Sequence, residues 1–207
     1  VHFVSQTTVL TLKPLSYLES KYDFNGKYFY LPNQFWAHKN HKVAFEAIKL
    51  LKKDCPDILL LCSGLLWDNR NEKFINSLKD FVTDNGLEKN IRFLGLIPYD
   101  DVKLLMYYCN AVVNPSYFEG WSSTVEESKS MGKAMILSSI PVHKEQAEDV
   151  ADFFDYDNAI QLSQLLLQHL VTNISTISME NDLEKRTKLF GAEYQNVILN
   201  CTRDLKV

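Results

Sequence analysis

Short apolar runs alternate along the chain with longer stretches in which apolar residues recur every third or fourth position. Residues 27–31 (Lys-Tyr-Phe-Tyr-Leu) read as a strand. Residues 40–53 read as a helix with Val43, Ala47, Ile48, Leu50 and Leu51 on one face, closed by Pro56. The run from Ile58 to Cys62 is apolar throughout, which does not suit a half-exposed strand and does suit the centre of a parallel sheet. The same alternation predicts a helix over 71–84 stopped at Asn85-Gly86, a strand over 91–94, a helix over 100–108 and a strand over 111–114. A helix from Ser123, a strand over 134–137, a short helix over 142–148, a strand over 151–154 and a helix over 159–170 complete the series. Ser123 followed by Glu126 has the spacing of a capping box, so the helix there is expected to begin at Ser123, run through Met131 and end at Gly132. Strands and helices in alternation predict an α/β fold: a doubly wound parallel sheet with helices on both faces.

Composition narrows the function classes. A chain of 207 residues can bury a full core as one compact domain. No uninterrupted apolar run approaches the roughly eighteen residues that a spanning helix needs. A net charge of -4 with scattered lysines argues against a nucleic-acid partner, which calls for a basic face. Cys55, Cys62, Cys109 and Cys201 have neither CxxC nor metal-ligand spacing, so they read as space-filling thiols of a reducing compartment. The sequons at Asn173 and Asn200 matter only in a secretory lumen, and patterns so short arise by chance.

The chemistry concentrates between Ser116 and Lys133, where Glu119 and Glu127 lie eight positions apart across a turn that opens a helix. The first amides of that helix have no partner inside it and carry partial positive charge, which favours a phosphate. Glu127, one turn in, can accept paired hydrogen bonds from a vicinal diol such as a ribose, and Glu119 can do the same for the hydroxyls of a sugar. A nucleotide sugar is both phosphorylated and rich in hydroxyls. The same glutamates also fit a solvated helix start, where acidic residues gather.

The Glu119-x7-Glu127 spacing, set in Pro115-Ser116-Tyr117-Phe118-Glu119-Gly120, resembles the signature of family-4 retaining glycosyltransferases of the GT-B fold. The stretch Leu31-Pro-Asn-Gln-Phe-Trp-Ala-His-Lys-Asn-His-Lys42 resembles that family's phosphate-binding loop, and the likeness continues through residues 93–98, 111–116 and 140–145. It implies a Rossmann-like donor domain, the C-terminal GT-B half, over 27–175. Residues 1–26 would be an interdomain connector and 176–207 a helical tail crossing back to an N-terminal domain. Lys39 would neutralise the donor diphosphate as the leaving group develops. The amides of Ser122 and Ser123 would complete the phosphate cradle, Glu127 would hold the ribose and Glu119 the sugar. The resemblance further implies a front-face reaction in which donor phosphate helps to accept the acceptor's proton, so neither glutamate is a nucleophile.

Two positions depart from the family pattern. Gln34 stands where an arginine is usual, removing one positive charge from the leaving group, and Ser122 replaces the second glycine of the turn. The implied donor is a UDP-sugar or GDP-sugar, with no other cofactor. The implied acceptor is a glycan or lipid-linked glycan held by an N-terminal domain missing from this sequence, so the chain alone is expected to bind nucleotide and to transfer poorly. Polysaccharide synthesis at the cytoplasmic face of a membrane follows from the same likeness, with the full-length protein peripherally associated. The alternatives are a non-catalytic nucleotide-binding or scaffolding module, or one subunit of a split transferase.

Other residues attract attention for their chemistry. Asp155-Tyr156-Asp157 matches the Asp-x-Asp pattern by which GT-A transferases hold a metal, yet it ends a late strand, and no metal is expected. His38 and His41 flank Lys39, where they are expected to touch phosphate, whereas His143 is expected to begin a short helix. Trp36 and Trp121 sit in the two phosphate loops, over ligand or packed on the protein.

Overall fold

The central strands of the chain are buried on both sides, and their side chains sort by parity. Phe29, Leu31, Leu60, Cys62, Val113 and Ile136 enter one apolar core, while Tyr30, Leu61, Val112, Met135 and Leu137 enter a second. The computed structural model describes residues 4–5, 12–67, 72–172 and 180–203. In chain order the elements are α1 (Leu15–Tyr22), β1 (Phe29–Leu31), α2 (His41–Leu51), β2 (Leu60–Ser63), α3 (Glu72–Asp84), β3 (Ile91–Gly95), α4 (Tyr99–Tyr108) and β4 (Val112–Asn114). They continue with α5 (Ser123–Ser130), β5 (Met135–Ser138), α6 (Pro141–Ala147), β6 (Asp152–Phe154), α7 (Ala159–Thr172) and α8 (Glu180–Arg203). All six strands are parallel, in the order β3-β2-β1-β4-β5-β6.

The helices divide between the two cores. On one face α2 buries Val43, Ala44, Ala47, Ile48 and Leu51, α3 buries Ile75, Leu78 and Val82, and α7 buries Leu162 and Leu166. These positions follow the three-to-four residue period of a helix with one apolar face. On the other face lie Leu18 of α1, Leu104, Leu105 and Met106 of α4, Val125 of α5 and Ala147 of α6. This is the doubly wound parallel sheet that the sequence predicts, and each expected element falls within two residues of its observed bounds.

Two features add to the expected elements. Residues 15–22, read as part of a connector, form a helix whose Leu18 is fully buried. Its one buried apolar residue among Ser, Glu and Lys gave no periodic signal. Tyr17, Lys21 and Tyr22 instead meet Asp101 of α4, at 3.4, 2.5 and 2.5 Å. The N-cap of α5 is Ser122, one residue before the expected Ser123, because its Oγ faces the Val125 amide at 3.5 Å. Glu126 accordingly does not reach back to the cap; it is buried against Gln146 and Arg186.

In the tail, helical composition over 179–206 corresponds to α8, with Leu189, Tyr194, Val197, Ile198 and Leu199 exposed. Asn173, Gln6 to Thr8, Met179 and residues 204–207 lie outside the described residues. Among the described residues, no helix is long and apolar enough to cross a membrane.

Truncating Leu18 to Ala is expected to lower the unfolding free energy by about 2–5 kcal/mol, the usual loss for a fully buried leucine. Urea denaturation of the Leu18→Ala chain measures this, and a change below about 0.5 kcal/mol would show α1 to be an accessory segment.

Candidate functional site

Strand order reverses between β1 and β4, so the loop after β1 turns to one face of the sheet and the loop after β4 to the other. A crevice opens at such a switch point, outside the carboxyl ends of the strands. The two loops that frame it are the stretches singled out in the sequence: the loop from β1 to α2 with Lys39, and the turn from β4 to α5 with Glu119, Ser122 and Ser123. They are tied directly, since the Tyr117 amide donates to His38 O at 2.8 Å.

Asn114, the last residue of β4, organises the crevice. It is fully buried and uses both ends of its amide. Its Oδ1 accepts from Asn33 Nδ2 at 2.9 Å and Ser116 Oγ at 2.7 Å; its Nδ2 donates to Ser122 Oγ at 3.0 Å and faces Glu119 Oε1 at 3.4 Å. One side chain thus joins the β1 loop, the β4 turn and the cap of α5. Asn40, left-handed at φ 51°, adds a second tie by donating to Pro115 O at 3.1 Å and Tyr156 O at 2.7 Å.

Lys39 and Glu119 meet across the crevice although eighty positions separate them. Lys39 Nζ donates to both oxygens of Glu119, at 2.7 and 2.8 Å, and Ser116 Oγ lies 2.8 Å from Glu119 Oε1, its single proton shared between that oxygen and Asn114 Oδ1. Burial alone would raise the Glu119 pKa, but Lys39, Ser116 and Asn114 outweigh it and hold the carboxyl below its usual range. The ammonium has three donors, so one remains after the pair with Glu119. Gln34 lies in the same loop, and its Oε1 accepts from the Leu65 amide at 2.7 Å. Gly64 makes that approach feasible. At φ +145°, a Cβ there would stand 2.4 Å from Asn33 O.

At the start of α5 the two serine amides differ. The Ser122 amide is already engaged, donating to Gln146 Oε1 at 3.0 Å while Gln146 Nε2 donates back to Ser122 O at 3.1 Å. The amides left without a protein partner among the described residues are those of Ser123 and Thr124, at the positive end of the helix. Glu127 follows Ser123 by four residues, about 6 Å along the axis. It is half-buried, its carboxyl is raised by burial, and its Oε1 accepts from the Tyr99 hydroxyl at 3.0 Å. No other donor among the described residues reaches that carboxylate. The two glutamates therefore differ: Glu119 is saturated by the protein, whereas Glu127 has one hydrogen bond, from Tyr99, and the charge of Lys103 nearby.

The histidines separate from one another. His41 was expected to touch phosphate, but it is fully buried, stacked on Phe35 at 4.2 Å between ring centroids, and burial pushes its pKa down to about 3. It is a neutral core residue, because the first turn of α2 faces inward at that position. His38 stays at the crevice, its carbonyl bonded to Tyr117 and its ring 5.6 Å from that of Trp36. His143 lies in the first turn of α6, buried, with Nδ1 3.0 Å from Ser138 O. Asp155 Oδ1 accepts from Ser139 Oγ at 3.1 Å. Sequence reasoning gave no role to Asn114, Asn40, Gln146 or Tyr99. For Asn114 a signal existed: a polar residue closing an otherwise apolar strand just before Pro115.

The family model described as glycosyl transferases group 1 matches residues 20–188. The O-antigen chain mannosyltransferase RfbU of Salmonella typhimurium is 26% identical over 131 residues, covering 63% of this chain and 35% of that protein. An N,N'-diacetylbacillosaminyl-diphospho-undecaprenol alpha-1,3-N-acetylgalactosaminyltransferase of Campylobacter jejuni is 34% identical over 107 residues, covering 44% of this chain and 28% of that one. The matched region thus spans about a third of these relatives' length. Among solved structures, Anabaena HepE in complex with UDP superposes with a TM-score of 0.73 at 16% identity, over 88% of this chain and 52% of that one. A glycosyltransferase from Rickettsia africae gives 0.67 at 20% identity, over 90% and 54%. At these identities the superpositions speak to the fold.

The depressed pKa of Glu119 fixes a pH dependence. A carboxyl whose folded pKa lies below its unfolded one stabilises the fold above the unfolded value, near 4, and loses that contribution as pH falls through the folded value. Glu119→Gln is therefore expected to destabilise the chain by about 1–3 kcal/mol at pH 7, with the difference from the native chain shrinking on acidification. Urea unfolding of both proteins at a series of pH values measures this; a pH-independent difference would contradict it.

Proposed function

This chain belongs to the group 1 glycosyl transferases, and from that premise we propose that it is the donor-binding domain of a retaining, family-4 type transferase that moves a hexose from a nucleotide sugar. The observation that carries the reading is the meeting of Lys39 and Glu119 at the switch point, beside the open amides of Ser123 and Thr124. A diphosphate seated there is neutralised by the Lys39 ammonium and by the helix amides, in the ground state and more so as negative charge grows on the leaving group. Its arrival draws Lys39 partly away from Glu119, whose released oxygens then accept hydroxyls of the sugar. Glu127, with one protein bond, takes the ribose diol on the other side.

Gln34 brings no charge to the phosphates; it holds the loop in place through Leu65. At the anomeric carbon the bond to the donor phosphate breaks as the acceptor oxygen bonds on the same face, and the leaving phosphate, held by Lys39, takes the acceptor's proton. The donor is a UDP-sugar or GDP-sugar, and no further cofactor takes part. The names of the matched relatives, an O-antigen mannosyltransferase and a transferase acting on a diphospho-undecaprenol sugar, support a glycan or lipid-linked acceptor. Such an acceptor is held by a part of the enzyme outside this chain and reached at the cytoplasmic face of a membrane.

Calorimetric titration with UDP and GDP tests the reading. One of the two is expected to bind, and Lys39→Ala and Glu127→Ala each to weaken it by about ten- to a hundredfold, the loss of a charge-assisted contact. Binding unchanged in both variants would remove the site assignment, and no binding of either nucleotide would favour a scaffolding module.

A further inference from the structure

Among the described residues Tyr99 alone hydrogen-bonds the Glu127 carboxylate, and it does so from an unusual position. It is the first residue of α4, directly after Pro98, with its ring half in solvent, 54% exposed. Its hydroxyl reaches Glu127 Oε1 at 3.0 Å, and its ring lies 5.1 Å from the Lys103 ammonium. Among the described residues the hydroxyl has no other partner. The ring is therefore held at its tip by one hydrogen bond and along its face by a cation, with open solvent beyond.

We propose that Tyr99 stands in for the donor's ribose: in the ligand-free protein its hydroxyl occupies the place on Glu127 that a diol hydroxyl takes, and nucleotide binds by displacing it. The inference rests on the assignment of Glu127 to the ribose and adds a competitor built into the fold. A neutral O–H donating to a carboxylate oxygen is the same chemistry whether the O–H is a phenol or a ribose alcohol. Glu127 is half-buried, and leaving its carboxylate without donors costs free energy that the phenol offsets while the site is empty. A diol can bond both oxygens where the phenol bonds one, so displacement is downhill, but by less than binding to a bare carboxylate. The consequence is weaker nucleotide binding and faster release of the nucleoside diphosphate left after transfer. Because the ring sits at the surface on the first residue of a helix, it can turn out by side-chain rotation, with no movement of the core.

The test uses the full chain, with UDP and inorganic pyrophosphate as probes and Tyr99→Phe as the variant, which keeps the ring and its stacking on Lys103. Tyr99→Phe is expected to bind UDP roughly three- to tenfold more tightly, with a slower dissociation rate, and to bind pyrophosphate unchanged, since only the ribose competes with the phenol. In a Glu127→Ala background the same substitution is expected to change neither. If Glu127→Ala weakens UDP binding while Tyr99→Phe leaves it equal or weaker, the proposal is overturned and the ribose assignment stands. If Glu127→Ala does not affect UDP binding, the ribose assignment fails and the proposal fails with it.

Discussion

The crevice depends on holding together two loops that leave the sheet on opposite faces, and the buried amide of Asn114 does this. All of its hydrogen-bonding capacity is directed at Asn33, Ser116, Ser122 and Glu119, so the β1 loop, the β4 turn and the helix cap share one anchor. A hydrophobic residue of similar size would leave several buried polar groups without partners, each a loss of about 1–3 kcal/mol. The Lys39–Glu119 pair sits on this anchor. The parallel sheet supplies the rigidity behind it, because its central strands are buried on both faces and leave the loop ends little freedom.

The two glutamates show how one turn supports opposite electrostatic states. Glu119 lies where three elements converge donors on it, and its carboxyl is held low. Glu127 lies one turn along the helix, with a single phenolic donor, and burial holds its carboxyl high. The same turn and helix thus carry one carboxylate held by several protein donors and one held by a single phenol.

Much of this was legible in the sequence because the fold rests on patterns a linear reading can detect. The continuous apolar run at 58–62, the stop at Asn85-Gly86 and the apolar strand before Pro115 each report burial or chain reversal locally. Glu119 and Glu127 stand out by their spacing and Lys39 by the family resemblance of its loop, and the structure brings Lys39 and Glu119 into direct contact. What stayed hidden depends on contacts between distant positions. Tyr99 reaches Glu127 from 28 residues away and Gln146 clasps the Ser122 peptide from 24, distances at which spacing carries no signal. His41 misled for the reverse reason: its place in sequence beside Lys39 suggested phosphate, whereas the helix turn carries its ring into the core beneath Phe35. The α5 cap moved by one residue because Glu126, the expected partner in a capping box, is drawn instead to Gln146 and Arg186.

The most direct measurement is the crystal structure of the chain with UDP bound. Lys39 Nζ within hydrogen-bond distance of the pyrophosphate, phosphate oxygens on the Ser123 and Thr124 amides, and the ribose hydroxyls on Glu127 are the expected result. UDP seated elsewhere, with Lys39 still closed on Glu119 and the start of α5 empty, would contradict it.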